Sequence, residues 1–345
     1  MLGKKITIIL LFALAFFLLL ANILTGPSEK ENSAKDPLSK QNLSTDEVMN
    51  GIIEILKEFD VDTLVVKNRV KKRDIKSYTV KLPADLPIPV ILKDIYNRFN
   101  GSDVKISAVD TAIRGKDPKP IQITALSIQG EDAGKFLFMF ENESKISRKK
   151  GELGIYINDF AELNKEETQY LLTYPEALGF LILPTKEARD LKEIIRANRK
   201  DAGIIISDEV SDIDYKVHSK YSKRRLLMSV KLLIGAFTEY SFFLIDKDAE
   251  IYNSTAFAFL ESEFNKRNYK IIPTYKFDFI DGESSEVILH KFRSMTRKTI
   301  KGERAIISVS NENFITIQDE LKKLKKKGVH IVLPSKLIGE EESIQ

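Results

Sequence analysis

Apolar and polar positions alternate with two different rhythms along this chain, and the change between them divides it. From residue 45, TDEVMNGIIEILKEF puts Val48, Ile52, Ile53 and Leu56 on one stripe at the spacing of an amphipathic helix, with Ser44 or Thr45 before it as N-cap. DTLVVK (62–67) and residues 75–82 read as strands. PIPVILKDIYNRF (87–99) predicts a helix entered through prolines and ended by Asn100-Gly101. Further strands are predicted at 104–109, 121–128 and 135–140, which makes residues 45–147 a small α+β domain. GEDAGK (130–135) has the lysine of a phosphate loop but neither its spacing nor the Ser/Thr that follows, so it reads as a turn into a strand.

Beyond the polar, basic connector SKISRKKG (144–151), strands and helices alternate. Strands are predicted at 153–158, 178–183, 203–207, 241–246, 269–272, 304–309 and 329–333. Helices are predicted at 164–173, 186–198, 222–235, 254–268, 284–299 and 314–327. Short apolar strands separated by amphipathic helices indicate a parallel sheet. Over residues 152–338 the repeats predict an α/β fold, a (β/α) barrel complete or distorted, with an open doubly wound sheet as the alternative. In LGIYINDFAEL (153–163) the alternating run stops at Asn158-Asp159. Polar residues at the C-terminal end of a parallel strand stand where such folds keep their chemistry.

The N-terminus carries a third pattern. Residues 6–24, ITIILLFALAFFLLLANIL, contain no charge, and as a helix of ~1.5 Å per residue they span most of a ~30 Å hydrocarbon core. Lys4 and Lys5 precede the run, which predicts a single pass of the cytoplasmic (inner) membrane with the N-terminus inside and the bulk of the chain outside. Residues 1–25 therefore read as a transmembrane anchor or uncleaved signal. A cleaved signal peptide is the competing reading, although no good A-x-A site follows the run. Residues 26–44 are polar, contain two prolines and read as a flexible tether.

Composition narrows the chemistry. The chain is 43% hydrophobic and 30% charged, as an ordinary globular protein is. Its net charge of +4, from 54 basic and 50 acidic residues, is too even to predict a nucleic-acid partner, and RVKKR (69–73) and KYSKRR (220–225) read as solvated faces. With no cysteine, disulfides, thiolate metal sites and cysteine nucleophiles are excluded. The three histidines, His218, His290 and His330, are far apart in sequence, so any metal site is mostly carboxylate or absent.

Several segments, in order, resemble the divergent polysaccharide deacetylase family over about residues 153–337. IYINDF (155–160) is similar to that family's strand ending in an Asp-Asp pair. YPEALGFLILPTKEARDL (174–191) resembles its second strand and following helix, and ERAIISVSNENFITIQDELKKLKKKGVHIVLPSKL (303–337) its closing section. The resemblance implies a distorted (β/α) barrel of polysaccharide-deacetylase type, preceded by the small α+β domain and the transmembrane helix. It further implies hydrolysis of an acetyl group on an envelope sugar through a divalent metal such as zinc, with a carboxylate as base.

The implied site is mostly replaced. Asp159 falls on the family's metal-binding Asp and is the one retained catalytic candidate, whereas Asn158 falls on the base, where an amide accepts no proton. The family's histidines fall near Ile206, near Lys247 and at Ser310-Asn311-Glu312, and a later strand-end Asp falls near Pro273-Thr274. One carboxylate is too few where catalytic zinc takes about three protein ligands, so no cofactor is predicted. Asn158, Asp208, Asp246 and Asn311 are the candidate substrate-binding residues at strand ends. The implied function is a catalytically degenerate, membrane-anchored protein that binds envelope glycan or an envelope protein. An active deacetylase with a rebuilt carboxylate and metal site, and a structural envelope scaffold, are the alternatives.

Overall fold

The computed structural model describes residues 42–61, 64–65, 75–113, 121–148, 150–238 and 242–340. The apolar run 6–24, most of the tether and the basic cluster 69–73 lie outside them. Among the described residues no helix is long and apolar enough to cross a membrane.

The first unit is a five-stranded sheet in the order β1-β2-β5-β4-β3, built from β1 (Leu64–Val65), β2 (Ile75–Pro83), β3 (Lys105–Ile113), β4 (Ile121–Gly130) and β5 (Gly134–Glu143). Helix α1 (Thr45–Glu58) and helix α2 (Ile88–Arg98) cover one face. Ser44 caps α1 in a capping box with Glu47, which satisfies donors that a helix start otherwise leaves open. Val80, Leu126, Phe136, Phe138 and Phe140 alternate along the strands to meet Val48, Ile52, Ile91 and Ile95 of the helices.

The second unit is α/β, with a curled sheet whose strand pairs are all parallel. Its strands are β6 (Glu152–Ile157), β7 (Gly179–Ile182), β8 (Asp201–Ile206), β9 (Phe242–Ile245), β10 (Ile271–Pro273), β11 (Asp278–Ile280), β12 (Arg304–Val309) and β13 (His330–Ile331). The order is β10-β9-β8-β7-β6-β12-β11, and β13 pairs with the start of β6. Around it lie α3 (Lys165–Thr173), α4 (Ala188–Ala197), α5 (Lys223–Phe237), α6 (Phe257–Asn265), α7 (Ser285–Ile300) and α8 (Asn311–Lys326), followed by α9 (Pro334–Glu340). Because β10 and β11 are the two ends of the path, the barrel has an open seam between them.

Two apolar layers follow from the period-two geometry of a strand. Leu153, Ile155 and Ile157 of β6 face the helices, while Tyr156 faces the inside with Leu181, Phe242, Leu244, Ile272, Phe277 and Ile306. Tyr156 is three strands from β9, about 14 Å at the usual ~4.8 Å spacing, yet its ring lies 5.7 Å from that of Phe242. It also lies 5.4 Å from Phe277, in the opposite direction along the strand order. One ring meets both only because the sheet curls and the intervening strands carry glycine. A Cβ at Gly179 would stand 2.3 Å from the Tyr156 ring, and one at Gly203 2.3 Å from the Phe242 ring. The interior is thus filled by side chains.

One predicted element needs correction, and a helix and a strand are present that the pattern does not predict. The strand expected at 329–333 is only His330–Ile331, because Pro334 lacks the N–H to continue a ladder and opens α9 at its first position. Helix α9 closes the N-terminal end of the barrel: Leu337 joins the interior layer and Ser335 N–H donates to the buried Asp201 carboxylate at 2.7 Å. Strand β11 was not predicted, since its three residues are too few to show a period.

Candidate functional site

The mouth lies at the C-terminal ends of the strands. β6 runs out into Asn158, whose N–H continues the ladder by donating to Val309 O at 3.1 Å and whose side chain is exposed. Asp159 follows at the start of a short 3₁₀ turn (Phe160–Glu162). Both its carboxylate oxygens accept the N–H of Asn311, at 2.9 and 3.0 Å. Asn311 is the first residue of α8, and Ser310, the N-cap, accepts from Asn313 N–H. Asp159 therefore supplies an acceptor, from an element 152 residues earlier, to a helix start that has spare donors. Burial raises the Asp159 carboxyl above its ordinary pKa; the Asn311 N–H opposes this, and Glu162 and Glu167 add to it.

The other predicted acids are used locally. Asp208, after β8, accepts Glu250 N–H at 2.8 Å and so ties the loop after β8 to the loop after β9. Asp246 accepts the N–H of Asp248 at 3.1 Å, a turn closed by its own side chain. Asn311 alone of the predicted binding residues is brought to Asp159. Its side chain is buried, and its Oδ1 has no hydrogen-bond partner.

Sequence patterns did not disclose Ser308, which lies beside Tyr156 on the inner face and whose buried Oγ also lacks a partner. Thr274, where the resemblance places a strand-end Asp, is buried at the end of β10, and its Oγ1 accepts Lys247 N–H at 3.0 Å. Small polar residues on apolar strands are the available signal. The side chain of Lys247 is exposed, and its backbone serves the mouth. His218 pairs through Nε2 with Glu250 at 3.2 Å and accepts Lys220 N–H through Nδ1, which leaves neither ring nitrogen for another ligand. His290 lies exposed on α7, and His330 lies exposed at the opposite end of the barrel. Lys220–Arg225 opens α5, with the Arg225 guanidinium donating to Ile213 O and lying over the Tyr221 ring.

A divalent metal of deacetylase type does not fit this donor set. No imidazole reaches the mouth beside Asp159, and both Asp159 oxygens already serve α8. Among the described residues no three His, Asp or Glu side chains are grouped to hold a metal ion.

No family model and no curated protein matches the chain. Among solved structures, the uncharacterized protein ATU2773 from Agrobacterium tumefaciens C58 is similar at TM-score 0.37 and 14% identity, covering 55% of this chain and 89% of that one. The dipeptide epimerase from Enterococcus faecalis V583 follows at TM-score 0.22 and 7% identity, with 67% and 81% covered. The muconate lactonizing enzyme from Pseudomonas putida stands at TM-score 0.22 and 9% identity, with 66% and 78% covered. Likeness at these levels bears on no activity.

Proposed function

We propose that the barrel mouth binds a hydroxyl-rich ligand, an envelope glycan, without hydrolysing it. The chain would be a membrane-anchored, extracytoplasmic relative of the polysaccharide deacetylases whose site has become a binding surface. The observation that carries this is the division of labour between Asp159 and Asn311. The carboxylate is committed to the start of α8, while the neighbouring amide oxygen is a buried acceptor without a donor. Buried polar atoms are normally hydrogen-bonded, and in this reading a sugar hydroxyl would supply the missing donor if ligand entry exposes the Asn311 amide. Exposed Asn158 offers a second amide at the same strand ends.

The test uses the full chain purified in detergent and titrated with soluble fragments of envelope glycan. Saturable binding is expected, weakened about tenfold by Asn158→Ala, the scale of one lost hydrogen bond. Release of acetate from acetylated glycan that depends on added metal and is lost in Asp159→Ala would overturn it. Saturable binding to an envelope protein in place of glycan would also overturn it, in favour of a scaffold.

A further inference from the structure

Helix α5, KRRLLMSVKLLIGAF, contains four basic residues and no acidic one. Leu226, Val230, Leu233 and Phe237 seat it in the core. At ~100° per residue, Arg224, Met228, Lys231, Leu232 and Gly235 fall together on the other side. All five are exposed, Met228 by 47% and Leu232 by 38%. An apolar stripe thus runs along α5 with cations beside it, and exposed Lys220 and Lys223 extend the charge past the helix start. On α8 the corresponding charges are neutralised, since Lys322, Lys323, Lys325 and Lys326 each meet a carboxylate. On α5, among the described residues, Arg224 and Lys231 meet none, Lys223 lies over the Phe259 ring, and Arg225 is held by Ile213 O and the Tyr221 ring. The loop that Arg225 holds carries Asp212 and Asp214 on either side of exposed Ile213, so Ile213 does not extend the stripe.

We propose that this face of α5 lies on the anionic lipid surface of the membrane in which residues 6–24 anchor the chain. Unpaired cations beside an exposed apolar stripe complement such a surface: headgroup phosphates meet Arg224 and Lys231, and the acyl boundary takes Met228 and Leu232. The tether of residues 26–44 keeps the folded units close by, with a reach on the order of 25 Å as a coil and about 65 Å at full extension. Because α5 covers the side of the barrel, the mouth then faces along the membrane. The contact rests on that anchor, and the experiment separates the two.

The chain has no cysteine, so one introduced thiol carries one label. The full chain with Met228→Cys, bearing a polarity-sensitive fluorophore, is reconstituted into vesicles of phosphatidylcholine alone or mixed with phosphatidylglycerol. A blue shift and quenching by spin-labelled lipid are expected in the anionic vesicles, not in the neutral ones, and not for the same label at Ile315→Cys on α8. Arg224→Gln combined with Lys231→Gln is expected to weaken the contact about 25-fold, at about fivefold per charge. Salt near ~1 M is expected to remove most of the shift. Flotation with neutral vesicles reads the anchor by itself. If the chain floats with anionic vesicles alone, and the double variant with neither, the anchor fails and the α5 contact stands. Flotation with neither overturns both. A silent label at 228 in anionic vesicles, an equal response at 315, or a response in neutral vesicles overturns the proposal. A response at 228 to soluble polyglutamate in place of lipid overturns it in favour of an acidic protein partner.

Discussion

Asp159 has an identity dictated by a neighbour far away in sequence. Two oxygens on one N–H at the first position of α8 form a cap supplied from outside the helix. Asp159→Ala removes it and leaves a helix-start donor unmet, which is expected to cost about 1–2 kcal/mol of stability. Asp159→Asn keeps an oxygen in place and should recover most of that. The pH dependence has a definite sign. Burial raises the folded carboxyl above its ordinary value, so the folded state takes up a proton before the unfolded state does. Wild type should therefore gain stability relative to Asp159→Asn as pH falls from neutral through the carboxyl's titration, and lose the gain as pH rises. Urea midpoints of the two proteins at pH 7 and about pH 4 measure the difference, with all other titrations common to both. The break of an apolar run at Asn158-Asp159 marked this strand end in the sequence. What the carboxylate does there was not legible, because its partner is 152 residues away and no periodicity connects them. For the same reason the sequence did not disclose the buried, unpaired Asn311 Oδ1.

Among the elements, those with long apolar periods were legible. β6 and β12 occupy almost the residues that their alternation predicts, and α5 and α7 begin within a residue of their predicted starts, after the caps Ser222 and Ser284, whereas α8 begins at Asn311 after the cap Ser310, three residues before its predicted start. Strand β11 was not legible at three residues, and neither was the inner layer. Which glycines stand beside Tyr156 and Phe242 depends on how the sheet curls, and the curl is a property of several strands at once. Between α7 and α8 the structure adds a link that no single helix pattern contains. Glu320 accepts from Arg293 at 2.9 Å and from Lys323 at 2.8 Å, and the Arg293 hydrogen bond, with Lys323 assisting against burial, depresses its carboxyl to about 2. A depressed acid stabilises the fold above its unfolded pKa of about 4.3, and that contribution disappears as pH falls towards 2. Glu320→Gln is expected to lose stability at pH 7 and to approach wild type in strong acid. The loss should be about 1 kcal/mol or less, because the Arg293 guanidinium is 59% exposed and water screens the pair. Chemical unfolding at the two pH values checks both the sign and the size.

At the scale of the molecule, the small sheet and the barrel meet on the C-terminal turn of α8. Arg148, buried in the connector, donates to Lys326 O and pairs with Asp85 at 3.3 Å. Gly328 lets the chains approach: its φ is +91°, and a Cβ there would stand 2.4 Å from Arg148 O. Lys326 is the cation at the centre. Its Nζ lies 2.8 Å from Glu58 and 2.7 Å from Asp94, and 5.4 Å from the centre of the Phe59 ring. Burial alone would lower its pKa, but Asp94 and Glu58 more than offset this, and the net shift is upward. The Asp94 Oδ2 that faces it is buried and has no hydrogen-bond partner besides this ammonium. Lys326→Met strands that carboxylate oxygen and is expected to cost about 2–4 kcal/mol, more than an exposed ion pair would. Asp94→Asn alone should cost less, since an amide tolerates burial better than an unpaired charge. In the double variant the two costs should fall short of their sum by about 1–3 kcal/mol, the signature of groups in direct contact. Urea unfolding of the four proteins provides the cycle. Strict additivity would mean that Lys326 and Asp94 do not meet in solution, and that the two units are held instead by Arg148 and the close backbone approach at Gly328.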